Sequence, residues 1–368
     1  MSRERVEKSN LISDAIRARQ SLRGNSPIYH NNLGRTIVTN SDGSKTILQK
    51  NRRQLVEIAR IPPMFKEVKE TRPNGLFLNK IVGHTTRIDL PHGCFNGSML
   101  ELKDKYLLVY RPNEYVFATC FLNKNFQVLH DTIKNLDLGG SVADPRIILT
   151  PCNKVFVTYS KFNNSCDFNF EYICGSIIMD LNISEEVKVY DNFRVSPVSL
   201  VDRQKNWMPF VHNDDLYLIS DVCPHRIYKF DLKTRNCTLE YETKFNNPWF
   251  IKHQLRGNTN CVKINDNYFL SVFHTAQKVD GCSYYDNGAY LFEAKIPFKP
   301  VMFGNKTIFP AEFAQEKHFR KFGEIACVFP MSIVVQGQDI YISYGDNDSA
   351  IRIFKTNISE ILNTMMRI

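Results

Sequence analysis

Much of what usually identifies a chain's chemistry is missing from these 368 residues. The ten cysteines form no CxxC or CxxxC pair, so no zinc-ligand spacing is present. No apolar run reaches 18 residues, which leaves no helix able to span a bilayer. Residues 1–23 are polar and charged where a secretion signal would be apolar, so a cytoplasmic protein with reduced thiols is the expectation. There is no phosphate-cradling glycine loop, no nucleophilic triad motif and no metal-spaced cluster, and no cofactor is expected. Helical periodicity is confined to Asn10–Leu22 and Ile358–Met366.

Charge is unevenly placed. Residues 1–60 hold 12 Lys/Arg against 5 Asp/Glu, which is +7 of the chain's total of +9. The remainder is close to neutral, so nucleic-acid binding is not expected as the main activity. Beyond the short helical pattern, residues 28–60 read as irregular, polar and basic, so 1–60 is expected to be an arm or strap beside a domain spanning 61–368.

What is present is β pattern. Short apolar strands recur in units, each opened by a polar stretch: Phe95-Asn96-Gly97-Ser98, Asp144-Pro145-Arg146, Lys205-Asn206-Trp207, Arg256-Gly257-Asn258-Thr259 and Glu324 to Phe329. Several short strands per unit with a turn after the first is the pattern of a propeller blade. The expected fold is all-β, a five-bladed β-propeller with a basic N-terminal extension and a short C-terminal helix. A tandem of β-sandwiches is the alternative.

Blade entrances crowd one mouth of a propeller's channel. Asn96, Asp144, Arg146, Lys205, Asn206, Arg256 and Asn258 are therefore expected to converge. Amides, carboxylates and guanidinium groups are the groups that grip hydroxyls. Pro145 disfavours the helical region for Asp144, which predicts an extended strand entrance, and Arg146 two residues on is expected on the same face as the carboxylate. A surface turn with a salt bridge would look the same. Trp207 fits either a stacking platform for a sugar or a buried blade filler.

The ordered set Phe95-Asn96 with Tyr110-Arg111, Asp144-Pro145-Arg146, Pro209-Phe210, Arg256-Gly257-Asn258-Thr259, His274, Asn287-Gly288-Ala289-Tyr290-Leu291 and Tyr344-Gly345-Asp346-Asn347-Asp348 resembles glycoside hydrolase family 130. That family comprises β-mannoside phosphorylases and β-mannosidases on five-bladed propellers. The runs Lys205-Asn206-Trp207-Met208-Pro209-Phe210 and Cys223-Pro224-His225-Arg226 look closer to related propeller β-mannosyltransferases. The resemblance covers roughly residues 87–356.

It implies that Asp144 is the proton-transferring acid or base of an inverting reaction and that Asp348 grips the sugar where the bond breaks. Asn96, Arg111 and Arg146 match sugar-contacting or site-shaping positions. His274 and Tyr344 lie in the matching motifs as further contacts. Two departures stand out: Ala143 precedes Asp144 where the family has glutamate, and His212 is nearest to the phosphorylases' lysine. Lys205, Arg226, Arg256 and the His225-Arg226 pair offer anion-binding capacity, which favours transfer or phosphorolysis over hydrolysis. Salt-bridged blade edges would account for the same residues. The expected substrates are an oligosaccharide with a sugar phosphate or sugar nucleotide; a non-catalytic glycan- or protein-binding propeller is the competing expectation.

Overall fold

The computed structural model describes the strands within residues 28–61 and 77–78, and residues 81–368 apart from 114, 137, 139–141, 164–170, 182–186, 195–204, 246–254, 280–281, 310–312 and 317–326. The expected helix Asn10–Leu22 and the Glu324–Ala326 part of the last unit's entry lie outside the described residues. The chain divides into two compact units, residues 1–68 with 278–283, and residues 69–277 with 284–368.

The first unit corrects the expectation of irregular structure. Strands Ile28–His30, Arg35–Thr39, Lys45–Asn51 and Gln54–Ile61 form an antiparallel four-stranded sheet in chain order. The β-branched residues Thr36, Ile37, Val38, Thr46 and Ile47 carry the strand preference that the surrounding basic residues obscured.

The second unit is almost wholly β and propeller-like. Its first sheet runs Phe95–Glu101, Lys105–Arg111, Phe117–Asn123 and Val128–Leu136. The next runs Val142–Leu149, Lys154–Asn163, Glu171–Leu181 and Val187–Arg194. A third runs Met208–His212, Asp215–Asp221, His225–Phe230 and Cys237–Thr243. Each is an antiparallel meander with strands paired in chain order.

A six-stranded sheet then places Leu255–Gly257 and Val262–Asn265 on Tyr268–Val279, followed by Cys282–Glu293, Pro300–Gly304 and Met365–Arg367. The last sheet runs Val328–Gln336, Asp339–Asp346 and Ala350–Asn357, and is completed by His84–Arg87. The expected C-terminal helix is shorter than the pattern suggested. It spans Ile358–Leu362, capped by the Asn357 side chain, and Met365–Arg367 leaves it to pair with the strand at Pro300–Gly304.

Apolar alternation sets how the sheets stack. Leu107, Val109 and Phe117 of the first sheet pack on Val142, Ile147 and Val155 of the second. Phe156 of the second meets Trp207, Leu218 and Phe230 of the third. Met208, Phe210 and Ile219 pack against Phe269, Phe273 and Phe292 of the six-stranded sheet. Leu270, Ala289 and Leu291 then meet Ile333, Ile342 and Tyr344 of the last, and Val334, Ile351 and Ile353 return to Met99 and Leu108 of the first. Trp207 is fully buried with its ring 4.8 Å from that of Tyr228, so it is a filler between sheets and not a sugar platform.

His225 is enclosed in the third of these cores, with ring centroids 5.8 Å from Tyr290 and 5.3 Å from Phe292. Burial holds its pKa down to about 3, so it is neutral, and no part of its surface reaches an anion. This corrects the expectation that His225 contributes to anion binding. Above pH 6.5 the imidazole is neutral whether the chain is folded or unfolded. As pH falls from 6.5 toward about 3, only the unfolded chain takes up the proton, so stability is lost across that window. Urea unfolding at pH 7 and pH 5 should show a loss of up to about 1.4 kcal/mol per pH unit from this residue. His225→Phe should flatten that dependence.

Candidate active site

The inner strands of the first two sheets enter through a kink. In the first sheet Phe95 pairs with Arg111 and Ser98 with Val109, so Asn96 and Gly97 form a bulge. In the second, Ala143 pairs with Ser160 and Arg146 with Thr158, so Asp144 and Pro145 do the same. Asn96 and Asp144 are both left-handed, at φ 49° and 56°, a conformation that Asn and Asp tolerate better than most residues. Asp144 is thus not extended. Pro145, lacking an N–H, falls in the bulge, where no ladder hydrogen bond is lost.

The kink redistributes the expected pairs. Arg146 does not bridge the Asp144 carboxylate. Its Nη1 donates to the Asp144 carbonyl at 2.6 Å and its Nε to the Asn258 carbonyl, with the whole side chain buried. The carboxylate instead accepts from Asn96 Nδ2 at 2.9 Å and lies 3.6 Å from Arg111 Nη1. Arg111 is in turn stacked over the Phe95 ring, 4.5 Å from its centroid. With 16% of its side chain exposed, Asp144 is oriented yet reachable. That is the geometry a proton-transferring carboxylate needs.

A second cluster is cationic. His274 lies within its strand, not at the end of one, opposite Arg256 and edge-on to Phe329 at 5.1 Å. Burial first, then the positive charges of Lys205, Arg256 and Arg146, hold its pKa well below the ordinary value. Arg256 stands opposite this imidazole in the ladder, and Lys205 and Arg146 also act on it. Its Nδ1 has no hydrogen-bond partner among the described residues.

Amides line the region between the clusters. Asn258 donates to Asn287 Oδ1 at 2.8 Å, and Asn287 donates to the Val328 carbonyl at 2.9 Å. Asn206, left-handed at φ 64° and 2% exposed, has neither amide atom paired among the described residues. Buried amides without partners cost about 1–3 kcal/mol each, so such groups point to a ligand or water. Asn287 is the residue sequence reasoning passed over as a motif member without a role.

Asn96 also ties this region to the last sheet. A Cβ at Gly345 would sit 1.9 Å from Asn96 Oδ1, and Gly345 lies three residues before the buried Asp348. Asn96, Arg111, Asp144, Arg146, Lys205, Arg256, Asn258 and His274 are thus linked through hydrogen bonds, ion pairing, strand pairing and charge.

Other expected site residues fall elsewhere. Arg226 is held by Glu242 at 2.8 Å and Asp221 at 3.5 Å, the salt-bridged edge that was the alternative reading of such residues. Tyr344 is buried against Phe309 and Phe313, with its hydroxyl pKa pushed up by burial, so it packs the core. His212 sits at the far end of its strand from Asn206, edge-on to Phe298, and does not stand in for a phosphate-binding lysine.

A positioned acid, a cluster of cations around His274 and a buried unpaired amide on a propeller-like scaffold suit the gripping of a polar, hydroxyl-rich substrate. The family model for glycoside hydrolase family 130, described as beta-1,4-mannooligosaccharide phosphorylase, matches residues 128–367, and the chain belongs to that family of enzymes acting on glycosidic bonds. No curated protein matches the chain.

Solved structures share the fold at low identity. A beta-1,2-mannobiose phosphorylase from Listeria innocua is 14% identical, covering 78% of this chain and 94% of that one, with a TM-score of 0.51. A mannose phosphorylase from Leishmania mexicana, in complex with a phosphate ion, is 10% identical over 79% and 92%, with a TM-score of 0.53. A third structure, from work on family 130 glycoside hydrolases that target beta-1,2 mannosidic linkages in Candida mannan, is 12% identical over 72% and 84%, with a TM-score of 0.54.

Gly345→Ala tests the link between the sheets. Its new methyl must displace the Asn96 amide, which loosens the Asp144 carboxylate while leaving every ionisable group in place. We expect kcat to fall roughly tenfold or more, the scale of losing one charge-assisted hydrogen bond, with the circular dichroism spectrum unchanged.

Proposed function

We propose that this chain forms or cleaves β-mannosidic bonds with inversion, by phosphorolysis or its reverse, transfer from a sugar 1-phosphate with release of phosphate, or by transfer from a sugar nucleotide with release of the nucleoside diphosphate. The scaffold is proposed to be a five-bladed propeller with the six-stranded sheet as its fourth blade; the continuous sequence of packed cores that returns to Met99 supports this count. Asp144 delivers a proton to the leaving oxygen in phosphorolysis and removes one from the acceptor hydroxyl in transfer. Asn96 and Arg111 hold that carboxylate in place. Asp348 is proposed to grip sugar hydroxyls in the same pocket, and the contact of Asn96 with Gly345 supports that neighbourhood.

The single observation that carries phosphate use is the convergence of Lys205, Arg256 and Arg146 on a neutral His274. Lys205 and Arg256 are the cations proposed to meet the anion: Arg256 lies opposite His274 in the strand ladder, and the charges of both bear on that imidazole. A single positioned acid beside a pocket that holds the incoming phosphate is sufficient for a one-step displacement with inversion.

The test is product analysis. Incubation with β-manno-oligosaccharides should yield mannose 1-phosphate only when inorganic phosphate is present. Mannose 1-phosphate or GDP-mannose with an acceptor should yield a longer oligosaccharide. Release of free mannose at the same rate with and without phosphate would make the enzyme a hydrolase and overturn the proposal. Asp144→Asn should lower turnover about a hundredfold or more while sugar binding survives. Arg256→Ala should raise the KM for phosphate about tenfold or more, the scale of a lost charge-assisted contact, with sugar binding little changed.

A further inference from the structure

The turn that carries Asp348 is held by an unusual side chain. Asn347 and Asp348 are both left-handed, at φ 50°, the central pair of a tight turn that the Ser349 N–H closes on the Asp346 carbonyl at 2.9 Å. Asn347 ties that turn to two other segments. Its backbone N–H donates to the Cys327 carbonyl at 2.9 Å, and its Oδ1 accepts from the Cys327 N–H at 2.7 Å. Asn347 thus pairs with Cys327 in both directions, its backbone donating and its side chain accepting, which extends the ladder between the strands Val328–Gln336 and Asp339–Asp346 by one residue. Its Nδ2 donates to the Glu316 carbonyl at 2.6 Å, reaching a third segment.

The same segment is gripped again one residue earlier. The Asp346 carboxylate accepts from the backbone N–H groups of Gln315 and Glu316 at 3.0 and 3.2 Å and from Arg352 Nε at 2.7 Å. Glu316 closes the set through Arg352 at 3.2 Å and Arg87 at 3.1 Å. Three pieces of chain therefore meet at Asn347: residues 315–316, the entry of the inner strand at Cys327, and the turn bearing Asp348. Asn347 is 1% exposed, so its amide is spent wholly on these contacts and is not itself available to a ligand. Only a side chain that both donates and accepts, on a residue tolerant of positive φ, can make this set.

We propose that Asn347 is a positioning residue: its amide locks the left-handed turn that sets the Asp348 carboxylate toward the sugar, and so fixes the enzyme's affinity for the mannosyl unit. This rests on the reading of Asp348 as a sugar ligand. A residue of this kind acts on sugar binding while leaving the proton chemistry at Asp144 and the phosphate contacts untouched.

Three variants separate the possibilities in the full-length chain, with β-1,4-mannobiose titrated calorimetrically and in phosphorolysis assays. Asn347→Gly keeps the left-handed backbone accessible and deletes both side-chain bonds. Asn347→Asp keeps the acceptor for the Cys327 N–H and turns the contact with the Glu316 carbonyl repulsive. Asp348→Asn tests the underlying reading. We expect Asn347→Gly to raise Kd and KM for the disaccharide at least tenfold, with kcat within about threefold and the KM for phosphate unchanged, and Asn347→Asp to fall between it and the native enzyme. Should Asn347→Gly fold and bind the disaccharide with native affinity while Asp348→Asn binds it poorly, the positioning role is wrong. If Asp348→Asn also binds with native affinity, the sugar-ligand reading itself fails and the proposal falls with it. A parallel rise in the KM values of sugar and phosphate would mark Asn347 as a general structural residue and equally overturn the proposal. Should Asn347→Gly not fold, the order of affinities of native enzyme, Asn347→Asp and Asp348→Asn decides the question.

Discussion

Inner strands in neighbouring sheets of this unit cannot pair as a ladder does, and their inward-facing backbone groups need other partners. Small polar side chains provide them. Ser98 accepts from the Ile147 N–H at 3.2 Å and donates to the Met331 carbonyl at 3.4 Å, joining three sheets through one hydroxyl. Ser332 accepts from the Met99 N–H at 2.7 Å, and Asn260 accepts from the Ile333 N–H at 2.8 Å. Thr158 donates to the Trp207 carbonyl at 2.9 Å. A buried N–H left without a partner costs about 1–3 kcal/mol, so this set accounts for more stability as a whole than its individual net bond strengths suggest.

The site grows out of the same constraint. The first two inner strands carry bulges at their entries, and Asn96 and Asp144 are left-handed within them. The kinks free the side chains at the entries from the ladder and aim them at one another. Arg146 then bonds carbonyls on two sheets, so the positive charge that shapes the pocket also fastens the scaffold. The geometry of the candidate site and inter-sheet cohesion depend here on the same atoms, so neither is separable by mutation from the other at Arg146.

The all-β, propeller-like character was legible because it is written as repetition: apolar strands of similar length, each unit opened by polar residues. Which of those polar residues come together was partly legible for the same reason, since entries of successive sheets must lie near each other. What spacing could not convey was local conformation. Pro145 argued for an extended Asp144, yet the two-residue bulge overrode that preference, and the carboxylate paired with Asn96 and Arg111 in place of Arg146. Nor does sequence distinguish a buried histidine from an exposed one. His225 and Tyr344 sit in polar-looking motifs but belong to cores, because the strand register decides which face each presents. The sheet within residues 28–61 was hidden by its lysines and arginines, which are compatible with strands when β-branched residues alternate with them.

The last sheet is completed by His84–Arg87, which pairs with Arg352 to Lys355, and Thr356 Oγ1 bonds the Val82 carbonyl across 274 positions. That pairing belongs to the slowest class of contact, where loop closure must precede any gain from the bonds made. During synthesis the segment around Val82 leaves the ribosome long before its partner exists. The sheets between can assemble as local meanders, but the first and last remain unclosed until the final strands emerge. Until then the flank of the strand Phe95–Glu101 that later receives Val328–Gln336 is open to other chains, which gives the nascent protein a defined interval of exposure to aggregation.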